Sequence, residues 1–143
     1  MTIEAAVVDA SVALKWVLPE PDSAEALALR ALFLVAPDLL LAECGNAIWN
    51  RVRTRVLTLR EARSCYAEIS RAPLIWAPIG ELAAESFELS LRLDHPVNDC
   101  IYLALAIARG LPLVTADRRL LVAVSKAPFL VDLVRPLSRP LDR

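Results

Sequence analysis

Glycine is scarce in this chain. Only Gly45, Gly80 and Gly110 occur in 143 residues, and none lies in a glycine-rich turn after a strand. A Walker loop and a dinucleotide fingerprint both need such a turn, so both are excluded. Histidine is scarcer still: the one histidine, His95, precedes Pro96. The three cysteines, Cys44, Cys65 and Cys100, have no metal-ligand spacing, which argues against zinc. No Gly-x-Ser-x-Gly elbow accompanies His95, so it has no nucleophile to serve and reads as a loop residue leading into a helix. The cysteines read as reduced, buried packing groups.

Excess charge of one sign is also missing. Sixteen Lys and Arg against seventeen Asp and Glu leave a net charge of −1, so any contact with a polyanion has to be local. Apolar residues make up 57% of the chain and the mean hydropathy is +0.48. Yet no run approaches the ~18 uninterrupted apolar residues of a membrane helix. The opening Met-Thr-Ile-Glu lacks the basic start and apolar core of a signal peptide. These features point to a cytoplasmic protein that associates with itself or a partner through surplus apolar surface, with Trp49, Trp76, Leu32 and Phe33 as candidate anchors. The length fits one domain over residues 1–143, with a Pro- and Arg-bearing tail from about 135 expected to be loose.

What is present begins with Ala5 to Val8, an unbroken apolar run that reads as a strand buried on both faces. Asp9 stands at its end, and Ser11 reads as the N-cap of a helix from Val12. Further strands are expected at Phe33–Ala36, Leu74–Ala77, Leu111–Thr115 and, at an edge, Val131–Val134. Between them come a helix capped by Asp22 or Ser23 and running to about Phe33, with Ala24, Leu27, Ala28 and Ala31 on one face, and a helix over Leu39–Arg53. A Thr58–Glu61 capping box starts the next. Others run from about Gly80 to Leu93 and from Val97 or Asn98 to Gly110, and a last one follows Asp117. Strands alternating with helices predict an α/β fold: a three-layer α/β/α sandwich on a mainly parallel, roughly five-stranded sheet.

Four carboxylates stand apart. Asp9 and Asp117 each follow a strand, where open parallel sheets bind ligands. Glu43 is the only charge between Asp38 and Arg51, on a helical face with Asn46 and Asn50. Asp99 opens a helix that is otherwise apolar almost all round. Each has a structural use alone, as cap or dipole partner. Collected in one crevice, they would repel one another and stay ionised only beside a cation. All-oxygen donors select a hard ion, Mg²⁺ or Mn²⁺, for which phosphodiester hydrolysis by activated water is the natural reaction.

At these residues the sequence resembles the PIN-domain nucleases, and more closely the VapC-type toxins of bacterial toxin–antitoxin pairs. The matching pieces are Val7-Val8-Asp9-Ala10-Ser11, Leu41-Ala42-Glu43 with Asn46, Asp99 to Ala106, and Val114-Thr115-Ala116-Asp117-Arg118, in family order across nearly the whole chain. The resemblance implies Asp9, Glu43, Asp99 and Asp117 as the catalytic and metal-holding acids, Asp9 and Asp99 foremost. It implies Ser11, Asn46 and Thr115 as their supports. It further implies single-stranded or looped RNA as substrate, cut by metal-activated water, and an antitoxin whose segment blocks the site, and a homodimer fits the surplus apolar surface. Gly45 departs mildly, since glycine weakens a helix. Arg51, Arg53 and Arg55 beyond the Glu43 helix, with Arg118 and Arg119 after Asp117, are candidate phosphate contacts. Two other classes stay open. A receiver-type signalling domain would want paired acids after the first strand, and a catalytically silent PIN-like module would bind partners without cutting.

Overall fold

The computed structural model describes residues 4–138. Five strands, β1 (Ala5–Val8), β2 (Phe33–Pro37), β3 (Leu74–Ala77), β4 (Leu113–Thr115) and β5 (Val134–Pro136), form one sheet in the order β3-β2-β1-β4-β5. Every pairing is parallel. Short α1 (Ala10–Ala13) and α2 (Ser23–Ala28) link β1 to β2, and α3 (Leu39–Arg53) and α4 (Leu59–Arg71) link β2 to β3. The pair α5 (Ala83–Leu93) and α6 (Val97–Arg109) crosses from β3 to β4, and α7 (Arg118–Ser125) leads to β5. Connections run one way up to β3 and the other way after it. Right-handed crossovers therefore set α1–α4 on one face and α5–α7 on the other. This is the expected three-layer arrangement, and its strand order reverses between β1 and β4, where such sheets open a crevice.

The centre is apolar because the sequence makes it so. Val7, Val8, Leu113 and Val114 are buried on neighbouring strands. Against them α6 is buried continuously from Cys100 to Ala106 and packs on β1, β2 and β4, while its first turn, Val97 to Asp99, stays at or near the surface. Gly110 ends α6 at φ +62°, a left-handed position that suits a residue without Cβ. The capping box opens α4 as expected, Thr58 accepting from the Glu61 amide and Glu61 from the Thr58 amide. Cys44 and Cys100 are buried, Cys65 is partly so, and all three are free thiols.

Several expectations are corrected. Asp9, not Ser11, is the N-cap of α1, because its carboxylate reaches the Val12 amide while Ser11 lies inside the first turn. Neither Asp22 nor Ser23 caps α2 through its side chain. Asp22 is left-handed at φ +66°, and the Ser23 hydroxyl instead accepts from the Glu20 amide. That element ends at Ala28, continuing as a 3₁₀ turn over Leu29–Ala31. Its buried side is Ala26 and Leu29 rather than Ala24, Leu27, Ala28 and Ala31. The Trp16 indole N–H donates to the Ala26 carbonyl at 2.8 Å, and that bond orients the helix. Gly80 lies in a 3₁₀ turn ahead of α5, and β4 starts at Leu113. The last strand is Val134–Pro136 rather than Val131–Val134. Turns at Ala127–Leu130 and Leu130–Leu133 bury Leu130 first, and only Val134 reaches the register of Leu113. The start of the tail is therefore held: Leu137 is buried and its amide donates to the Thr115 carbonyl at 2.8 Å. The rest of the tail, 139–143, lies outside the described residues.

Candidate functional site

Asp9 enters the crevice as the residue where β1 turns into α1. It is 6% exposed, and protein donors take both of its oxygens. Oδ1 accepts the Ser11 hydroxyl at 2.5 Å and the Val12 amide at 3.3 Å; Oδ2 accepts the Thr115 hydroxyl from β4. Ser11 Oγ also accepts the Ala116 amide at 2.9 Å, and Thr115 Oγ1 the Asp117 amide at 3.0 Å. Each hydroxyl donates to Asp9 while accepting from the chain beyond β4, so β1 and β4 are locked at the strand ends. Burial pushes the Asp9 carboxyl up to about 6, against the hydrogen bonds from Ser11, Thr115 and Val12, and the nearby Asp117 charge adds to the rise.

Asp117 caps α7 as the sequence suggests, Oδ1 accepting the Arg119 amide at 2.9 Å and the Leu120 amide at 3.4 Å. Glu43 projects from the second turn of α3, half-buried. Its Oε1 accepts the Tyr102 hydroxyl at 2.5 Å. Burial raises its carboxyl, Tyr102 opposes the rise, and the charges of Asp99 and Asp117 add to it. Asp99 lies in the first turn of α6, with Oδ2 2.6 Å from His95 Nε2.

The four acids thus share one electrostatic neighbourhood, with Asp117 acting on Asp9 and Glu43, and Asp99 on Glu43. Among the described residues, however, no three of His, Cys, Asp and Glu stand at the spacing of a closed metal shell. Of the proposed supports, Ser11 and Thr115 touch Asp9. Asn46 does not touch Glu43: it is exposed one turn on, and Tyr102 takes the place foreseen for it. Tyr102 read as core because it is embedded in an apolar run. His95, read as a plain loop residue, faces Asp99 four residues on, a spacing visible in the sequence.

The two arginine groups part company. Arg51 pairs with Glu20 at 3.0 Å, beside Lys15 at 3.1 Å from the same carboxylate. Arg53 donates to Asn50 at 2.7 Å and lies 5.3 Å from the Trp49 ring. Arg53 is also about 15 Å along α3 from Glu43 at 1.5 Å rise per residue. Arg118 and Arg119 instead line a cleft of about 840 Å³ that also takes in His95. The thiols offer no nucleophile: burial pushes Cys44 up to about 12 and Cys100 up to about 11.

Comparison with known proteins gives the chain's family and fold. The family described as PIN domain matches residues 6–126. Ribonuclease VapC3 of Pyrobaculum aerophilum is 33% identical over 129 residues, 87% of this chain and 96% of that protein. Among solved structures, Mycobacterium tuberculosis VapC20, described as a sarcin-ricin loop cleaving toxin, superposes with a TM-score of 0.65 at 16% identity, over 82% of this chain and 94% of that one. A toxin–antitoxin complex from Klebsiella pneumoniae gives 0.66 at 16% identity, over 92% and 97%.

Proposed function

The chain belongs to the PIN-domain family, and from that premise we propose that it is an endoribonuclease of VapC type, the toxin of a toxin–antitoxin pair, working with Mg²⁺ or Mn²⁺. The observation that carries the proposal is Asp9: a carboxylate buried at the sheet's switch point, held by two hydroxyls, with Asp117 beside it. Ionising a buried acid beside another acid costs free energy, which a bound cation offsets.

The donor set fits a hard divalent ion. Among the described residues, Glu43 Oε2, Asp99 Oδ1 and Asp117 Oδ2 accept no protein hydrogen bond, and the nearby nitrogen, His95, is turned to Asp99. Asp9 and Asp99 would hold the ion, with Glu43 and Asp117 completing its surroundings through water, since the four do not close a shell themselves. Bound Mg²⁺ would orient the scissile phosphate and activate the attacking water. Glu43, raised by burial and by two acidic neighbours, suits the uptake of the proton that water releases. Tyr102 keeps its Oε1 turned inward so that Oε2 is left for that task. Arg118 and Arg119 meet the flanking phosphates.

We read the described sheet and core as one PIN-like unit acting in the cytoplasm. No helix among the described residues is long and apolar enough to cross a membrane. The antitoxin and a second copy are the proposed partners, and the most exposed anchors are Phe33 at 73% and Trp49 at 57%; Leu32 and Trp76 are half-buried.

Purified chain incubated with total RNA tests the reading. Cleavage is expected in Mg²⁺ or Mn²⁺, lost in EDTA and lost in Asp9→Asn and Asp99→Asn. Cleavage that survives EDTA and both substitutions would overturn it. Light scattering at rising concentration tests the homodimer, which a monomer throughout would exclude.

A further inference from the structure

The cleft beside the acids is lined by more than the sequence singled out. Arg92 at the end of α5 and Lys126 after α7 join Arg118 and Arg119 along its walls, against one carboxylate, Asp94. Among the described residues none of these four cations is ion-paired. Phe129 lies in the same cleft, 51% exposed, in the turns that follow α7. The Arg92 guanidinium sits 4.2 Å from the centre of its ring. The ring keeps half of its surface open to the cleft, and the group stacked over it is a planar cation.

The cleft adjoins the proposed reaction centre at two points. His95 is in its wall and reaches Asp99 at 2.6 Å, and Arg118 directly follows Asp117. A strand whose scissile phosphate lies at the acids therefore runs its neighbouring phosphates past the four cations. Backbone cations beside an aromatic plate are the components of a single-strand site: the charges track the phosphates and the plate stacks a base. Duplex RNA keeps its bases inside and offers the plate nothing.

We propose that Phe129, held flat by Arg92, is a stacking platform for an unpaired base next to the cleaved bond, and that Arg92 and Lys126 extend the phosphate track begun by Arg118 and Arg119. The proposal rests on the nuclease reading and assigns the residues that would grip the unpaired strand that the resemblance implies.

The test uses the full chain carrying Asp99→Asn, in Mg²⁺, so that the strand stays intact. Two probes are compared by fluorescence anisotropy: an eight-nucleotide oligoadenylate and a fully abasic strand of equal length and charge. Adding Phe129→Ala should weaken oligoadenylate binding on the order of tenfold and leave abasic binding unchanged. Arg119→Ala and Lys126→Ala should weaken both probes alike, each flattening the salt dependence by roughly 0.7 in log K against log salt. Phe129→Trp should retain oligoadenylate binding and report it by quenched indole emission that the abasic strand does not produce. If the Phe129→Ala loss is equal for the two probes or absent, the platform is wrong, while binding here and cleavage by the unsubstituted chain keep the nuclease reading. If the unsubstituted chain neither binds nor cuts RNA, the nuclease reading falls and the platform with it.

Discussion

Thr115 and Asp9 stand 106 residues apart in the chain and meet at the sheet's switch point, the hydroxyl of one donating to the carboxylate of the other. The same hydroxyl accepts the Asp117 amide, so one oxygen holds one acid and sets the backbone of a second. The arrangement reads as a support for ionised Asp9, and its removal is informative.

Thr115→Val keeps the shape and deletes the hydroxyl. The part-buried Asp117 amide loses its acceptor and the buried Asp9 one donor, which should cost about 1–3 kcal/mol of stability. Cleavage should fall more than tenfold, with the pH at which activity rises displaced upward. Melting curves and a pH–rate profile check this; an unchanged profile would make Thr115 purely structural.

Asp9 should leave its mark on the pH dependence of stability. Its carboxyl is raised from 3.8 to about 6 on folding, so between those values the folded chain binds more protons than the unfolded one. Its contribution is full below about pH 4, declines as pH rises through about 6, and is flat above, a loss of up to about 3 kcal/mol. In metal-free buffer Asp9→Asn should lack that decline, its melting point staying level between about pH 4 and 7.5 where the parent's falls. Millimolar Mg²⁺ should raise the parent and not the variant. Equal shifts in both would remove Asp9 from the ion's surroundings.

Tyr102→Phe removes the hydroxyl from Glu43 and little else, since the ring stays in the core. About 1 kcal/mol of stability is expected to go, with a larger effect on kcat than on KM because Glu43 is freed rather than lost. A circular dichroism melt and initial rates on one RNA substrate measure both. A change confined to KM would contradict the role given to Glu43.

The arginines beyond α3 should separate from those at α7. Arg51→Ala breaks a partly exposed pair with Glu20, worth about 0–1 kcal/mol of stability, and should leave RNA affinity unchanged, as should Arg53→Ala. Arg118→Ala and Arg119→Ala should lower affinity without destabilising the fold. Filter binding and thermal melts on the four variants separate the groups.

Ala5–Val8 was legible because a strand buried on both faces must be an unbroken apolar run. Leu74–Ala77, an edge strand with Ile75 exposed, is also bounded as it reads because Pro73 and Pro78 flank it. Asp9 and Asp117 were legible because an ionisable group at the end of such a run has little packing value. Asp99 stood out against an apolar helix. What was hidden depends on contacts between distant residues. Tyr102 and Glu43 are 59 positions apart, and no periodicity connects them. Phe129 and Arg92 meet only after two crossovers. The β5 shift had a different cause: Val131–Val134 has strand composition, but the chain turns twice before it reaches the sheet. His95 could have been found from its i, i+4 spacing to Asp99; Pro96 between them obscured it by ending the helical pattern.

A site clamped between residues 9 and 115 cannot exist until both have been made. At about 5–20 residues per second, a ribosome needs roughly 5–20 s to travel between them, and through that interval β1 has no β4 beside it. The half-made chain therefore has no assembled carboxylate cluster with which to attack the message being translated.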